Sequence, residues 1–220
     1  MNSSPLSAPP ALPDLEAVLA QIRTDATAGQ FLAWGGSTLI DEFTGVPSIS
    51  RELFDELHAA AGLHADFPVG NAGLLHVYGY WFSQVPTPFG YKRDRWVTGE
   101  LARALGRPTD EFLLRTDATA TTLARVTSAA LPVLLTPPAG ARVADAEFSS
   151  PVGLRRARVV LHAAESGGPT ALVYGISDAG THAGSPLRLI TAFPVSGDPE
   201  LLLADFERDP GSRWNAVADW

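Results

Sequence analysis

Beyond residue 155 the apolar residues of this chain change period, from the three-to-four spacing of a helix to the two-residue spacing of a strand. Residues 155–163 (RRARVVLHA), 171–177 (ALVYGIS) and 187–195 (LRLITAFPV) carry the second pattern, and the turn-rich stretches ESGGPT and DAGTHAGSP separate them. Side chains of a strand alternate between two faces, so three such runs joined by short turns predict an antiparallel meander. Before it the chain reads as helices. Asp14 can cap a helix whose Leu15, Val18, Leu19 and Ile22 form one apolar stripe, ended by Gly29. Ser50 opens a second helix, with Leu53, Phe54, Leu57, Ala60 and Ala61 on one face and Gly62 just past its end. A third spans about Thr98 to Leu105, and a fourth begins after Asp117 and stops before Pro132. Asp198 followed by Pro199 announces a fifth, reaching about Arg208.

Helices first and strands last predict an α+β fold, with helices packed on one face of an antiparallel sheet that includes the C-terminal meander. Residues 1–12, rich in Ser and Pro, read as a flexible tail, and 13–220 as one α+β domain. FLAW (31–34) and residues 74–83 are further strand candidates, and Leu39, Ile40 and Phe43 suggest a helical turn.

Composition removes whole classes of chemistry. The chain has no cysteine, so thiol nucleophiles, thiolate zinc sites and iron–sulfur ligation are excluded. The five histidines show no His-x-His, no i, i+4 pair and no HExxH, so no metal is expected. Neither GxxxxGK[ST] nor GxGxxG occurs, and no nucleotide or other cofactor is expected; GxSxG is absent as well. WGGST (34–38) reads as a tight turn. A net charge of −8 opposes a nucleic-acid partner. No apolar run reaches the roughly 18–20 residues of a spanning helix, and no secretory pattern opens the sequence. The expectation is a cytoplasmic bacterial protein without a membrane partner.

The stretch His76 to Trp96, HVYGYWFSQVPTPFGYKRDRW, concentrates what chemistry remains: three of the four tyrosines, two of the five tryptophans and the sole lysine. If residues 74–83 are a strand, His76, Tyr78 and Tyr80 share a face and bracket a small planar ligand. Imidazole is the natural general base near neutral pH, and a phenol donates to a developing oxyanion. His76, Tyr78 and Tyr80 are therefore the candidate catalytic residues. Lys92, Arg93 and Arg95 form a candidate anion clamp, with Trp81 and Trp96 as aromatic walls.

The order GGSTL (35–39), YGYWFSQVP (78–86), LGRPTDEFLL (105–114) and LRLITAFP (187–194) resembles that of chorismate lyase-like proteins, while DAGTHAGSP departs from it. The resemblance implies an antiparallel sheet and an aromatic carboxylate bound by arginine. The meander ending in ITAFP also resembles small barnase-like ribonucleases, which implies a basic cleft near Arg156, Arg158 and Arg188. The leading functional expectation is a cofactor-independent biosynthetic lyase, isomerase or cyclase acting on an anionic unsaturated or aromatic small molecule. The alternatives are a non-catalytic ligand- or partner-binding protein that uses residues 76–96, and a barnase-like ribonuclease.

Overall fold

A computed structural model describes residues 11–178, 186–211 and 213–217 of the chain. Most of the expected tail, and the turn bearing His182, lie outside the described residues. The elements run α1 (Leu15–Thr27), β1 (Gly36–Thr38), α2 (Arg51–Ala61), β2 (Val69–Asn71), β3 (Pro86–Thr87), β4 (Gly90–Tyr91), α3 (Asp94–Val97) and α4 (Glu100–Ala104). Then come α5 (Thr122–Leu135), β5 (Arg142–Ser150), β6 (Gly153–His162), β7 (Ala171–Asp178), β8 (Arg188–Pro194), α6 (Pro199–Arg208) and β9 (Ala216–Val217).

The fold is α+β. Four antiparallel strands form the main sheet in the order β5-β6-β7-β8, and its last three strands are the meander announced by the two-residue period. Strand β5, which the period does not announce, adds the outer edge; its exposed positions alternate with half-buried ones, and its charges mask the apolar signal. Helix α5 packs against β6, β7 and β8, and α6 against β5 and β6. No helix among the described residues is long and apolar enough to cross a membrane.

The caps work as their residue types dictate. Asp14 accepts from the Glu16 N–H, Ser50 from Leu53, and Asp198 from Glu200, while Gly62 closes α2 in the left-handed region. Two helix boundaries differ from expectation. The expected third helix is α4, which starts only after Gly99, at φ 72°, while a separate short turn of helix, α3, precedes it. Helix α5 runs through Pro132 to Leu135, because Val133 and Leu134 are buried on the sheet and outweigh one lost backbone bond.

Two expected strands are not strands. FLAW belongs to a 3-10 turn, Gln30–Ala33, whose Leu32 lies in solvent; four apolar residues in a row carry no period to tell the two apart. Residues Leu74–Tyr78 form a π-helical turn that tightens into a 3-10 turn over Gly79–Phe82. Every residue from Leu74 to Trp81 is buried, so no polar face marks the helical period. The expected helical turn near Leu39 is an irregular turn around Asp41, whose carboxylate accepts from the Phe43 and Thr44 N–H groups.

A second, small sheet sets the site. Strand β1 lies between β2 and β9, with Gly36 opposite Asn71 on one side and Ser37 opposite Ala216 on the other. It docks on the edge of the main sheet at β8, where the Gly35 N–H donates to the Leu189 carbonyl at 2.8 Å. A Cβ at Gly35 would stand 2.8 Å from the Ile190 Cδ1 methyl, so a larger residue here would have to push that methyl aside. Strand β8 carries a bulge here: Tyr174 pairs with Thr191 and Gly175 with Leu189, which leaves Ile190 out of the ladder. Two successive carbonyls, of Leu189 and Ile190, therefore accept from outside the main sheet.

Candidate functional site

The π-turn decides which parts of the aromatic segment meet. In a helical backbone, residues four apart lie on one side and residues two apart on opposite sides. His76 and Tyr80 accordingly stack, ring centroids 4.8 Å apart, while Tyr78 points the other way and donates to Asp25 at 2.5 Å. The strand arrangement that put His76, Tyr78 and Tyr80 on one face does not form. His76 and Tyr80 come together by a different geometry, and Tyr78 is separated from them.

His76 and Tyr80 form part of the wall of a cavity of about 290 Å³. Its other walls come from the Asp41 turn (Glu42, Phe43), the β3–β4 hairpin (Phe89, Tyr91), α3, the end of β8 (Thr191, Phe193) and the segment Arg213–Asn215. That last segment is held by β9 and by the Asn215 amide, which donates to the Thr38 carbonyl. Trp214 and Asn215 both adopt positive φ, 51° and 63°, conformations that residues other than glycine rarely take and that cluster at functional sites. Phe43 and Phe89 meet edge to face at the mouth, centroids 5.2 Å apart, and both are exposed.

The cations of the cavity differ in one respect, their partners. Lys92 is paired with the fully buried Asp41. Burial opposes ionisation of Asp41, but Lys92 and the two amides outweigh it and hold the carboxyl below its ordinary range. Arg213 is paired with Glu42 and Asp205, each at 2.9 Å. Arg95 has no carboxylate partner among the described residues. Its Nη1 donates to the Thr191 hydroxyl at 3.1 Å and to the Ala192 carbonyl at 3.4 Å, and the guanidinium lies over the Tyr80 ring, 4.8 Å from its centroid. Burial lowers its pKa, against Tyr80 and the more distant Asp41 charge, though a guanidinium stays charged at neutral pH.

Tyr80 itself is 1% exposed, and its hydroxyl has no hydrogen-bond partner among the described residues. Among the described residues the indole N–H groups of Trp81 and Trp96 also lack acceptors, but neither residue lines the cavity. Trp96 packs edge to face on Phe112 in the core, which removes it from any exposed interface. Arg93 reaches away from the cavity to the Ala11 carbonyl. Of the eight candidates read from sequence, four line the cavity: His76, Tyr80, Lys92 and Arg95.

Both ring nitrogens of His76 are occupied. Nδ1 lies 2.7 Å from the bulged Ile190 carbonyl and Nε2 lies 2.8 Å from the Ser37 hydroxyl. Burial, then the charges of Arg95 and Lys92, push the imidazole well below its ordinary range, against the bond to Ile190. No nitrogen of His76 is left to take a proton from a ligand directly. Ser37, fully buried, does not reach the cavity either, so the pair is not a nucleophile and its base.

Sequence reading missed Ser37, Thr191 and Asn215, whose polar groups build the site, and Phe43, Phe89, Phe193 and Trp214, which wall it. All of these except Thr191 lie within two residues of a turn or strand end that carries no motif. Arg158, expected in a basic cleft, is held bidentately by Asp145. No group of three or more metal-ligating side chains occurs among the described residues. No family model matches the chain, and no curated protein or solved structure matches it, so both resemblances rest on their residues alone.

Proposed function

We propose that the protein binds an anionic small molecule with a flat unsaturated or aromatic body in this cavity, and acts on it by cofactor-independent acid–base chemistry of the lyase, isomerase or cyclase kind. The observation that carries the reading is Arg95, a cation with no carboxylate at ion-pair distance among the described residues, inside an aromatic-walled cavity. Neutral acceptors and ring faces compensate a half-buried guanidinium only in part. A carboxylate would complete it with charge-assisted hydrogen bonds of about 1.5–3 kcal/mol. The phenol of Tyr80, under Arg95 and without a partner, is the group supported as proton or hydrogen-bond donor to the ligand. The chorismate lyase-like resemblance implies an arginine on an aromatic carboxylate, which agrees with this assignment.

Binding without turnover is the second reading, and one observation favours it: the engaged nitrogens of His76 leave the cavity without a free imidazole base. The two readings share the ligand class and are separated by whether a bound carboxylate is converted. Titration of benzoate and cinnamate into the purified protein tests the common part. Arg95→Met is expected to weaken either ligand roughly 10- to 100-fold. Equal affinity of wild type and variant, or no binding of either carboxylate by a folded sample, overturns the proposal.

A further inference from the structure

The hydrogen bonds around His76 do not add up for a neutral imidazole. Three contacts lie in a chain: Ile190 carbonyl to Nδ1 at 2.7 Å, Nε2 to Ser37 Oγ at 2.8 Å, and Ser37 Oγ to the Asn215 carbonyl at 2.8 Å. Each contact needs one hydrogen, and the carbonyls at both ends bring none. Ser37 supplies one and a neutral imidazole supplies one. The third contact then sets two lone pairs against each other. The Thr38 carbonyl, 3.3 Å from Ser37 Oγ, is a further acceptor and does not help. An imidazolium fills all three, with Nδ1–H to Ile190, Nε2–H to Ser37 and the Ser37 hydroxyl to Asn215.

Hydrogen bonding thus favours the third proton, and the surroundings oppose it. His76 is 2% exposed, and Arg95 and Lys92 stand near it. Tyr80 stacks on the ring from its own helical segment, and the charge of Lys92 is answered by Asp41. Arg213 on the C-terminal segment is answered by Glu42. Asp94 accepts from the Tyr91 N–H, Glu100 is exposed at the edge, and β1 and β8 offer only hydroxyls and backbone to the ring. Among the described residues Arg95 is the one cation of the lining with no carboxylate at ion-pair distance: the Asp41 charge reaches it only from farther off, and neither Asp94 nor Glu100 pairs with it.

We propose that an anion entering beside Arg95 lets His76 take up a proton from solvent, so that the imidazolium becomes a second cation of the anion site. The inference rests on the anion-binding reading above and adds that neutral analogues are discriminated against by two charges. Ser37 and the Asn215 carbonyl are positioning groups: they supply the acceptor arrangement that only the imidazolium satisfies. The occupied protein binds more protons than the empty one, so anion affinity rises as pH falls, by at most about tenfold per pH unit for a single proton.

Calorimetric titration of benzoate in pairs of buffers with different ionisation enthalpies counts the protons directly, over about pH 5 to pH 8. Wild type is expected to take up a measurable fraction of a proton, approaching one, within that range. His76→Gln abolishes the uptake, and Ser37→Ala reduces it because Nε2 then has no acceptor to satisfy. The 15N shifts of His76 in the wild-type protein, with and without benzoate, report the same change if either variant fails to fold. Benzoate binding with no uptake at any pH, or uptake that persists in His76→Gln, overturns the inference and leaves the anion-binding reading standing. Absence of benzoate binding overturns both.

Discussion

Tyr78 and Tyr80 stand two residues apart and end in opposite surroundings. Tyr78 gives its proton to one oxygen of Asp25, and the Thr121 hydroxyl gives its own to the other. Asp25 lies near the end of α1 and Thr121 is the N-cap of α5, so the three side chains pin two helices together. Tyr78 is fully buried and Asp25 is 1% exposed; burial, with the Asp25 charge beside it, raises the Tyr78 phenol above its ordinary range. That cluster is finished: every hydroxyl has an acceptor and every carboxylate oxygen a donor. Tyr80 is as deeply buried, yet among the described residues its hydroxyl lacks a partner and the guanidinium above it lacks a carboxylate at ion-pair distance. The difference teaches how to separate structure from function in a buried polar group. A completed network stabilises; one that is incomplete and opens on a cavity awaits a ligand.

The largest effect that tests this contrast is on stability. Tyr78→Phe leaves one oxygen of a buried carboxyl without its donor and is expected to cost about 1–3 kcal/mol. For a chain of 220 residues, that lowers the melting temperature by roughly 2–4 °C per kcal/mol. Benzoate affinity is expected to be unchanged. Tyr80→Phe should do the reverse. It removes no satisfied bond, so stability stays within about 0.5 kcal/mol, while the affinity for benzoate falls roughly 2- to 10-fold with one hydrogen bond lost. Thermal unfolding and titration of both variants form a crossed pair. If Tyr78→Phe weakens benzoate as much as Tyr80→Phe does, the division between the two clusters is wrong.

Much of the frame is legible in the sequence. The meander, the caps at Asp14, Ser50 and Asp198 and the stop at Gly62 are local signals with local physical causes, and the structure follows them. The site is legible only in its residue types. His76 and Tyr80 stand out because imidazole and phenol carry chemistry, but the segment between Leu74 and Trp81 is buried on every side, and total burial erases the period that separates strand from helix. The alternation read there joined Tyr78 to the site and placed it wrongly. Ser37, Ile190 and Asn215 were beyond reach for another reason: they meet His76 across separations of 39, 114 and, through Ser37, 178 residues. Two of those contacts are to backbone carbonyls, which no side-chain pattern announces. A bulge in β8 and two positive φ angles make them possible, and neither leaves a mark on the sequence that a motif can capture.

The smallest signal is a slope with pH, and it probes the finished cluster from its charge. Burial outweighs the hydroxyl donors of Thr121 and Tyr78, so Asp25 keeps its proton to higher pH in the folded chain than in the unfolded one. Between those two values the folded protein binds more protons, and stability falls as pH rises. Below the ordinary carboxylate value of 3.8 this loss is absent, and above the raised value it is complete and constant. Asp25→Asn keeps the shape and offers one acceptor and one donor to the two hydroxyls, but it does not titrate. The stability of wild type relative to Asp25→Asn, from urea unfolding at successive pH values, is therefore expected to decline upward from the ordinary carboxylate range and then level off. A difference that is flat, or that rises with pH, would mean the two hydroxyls hold the carboxylate more favourably than water does. The cluster would then be a preferred anion site in its own right, and its contrast with Arg95 would lie in the sign of the charge rather than in completeness.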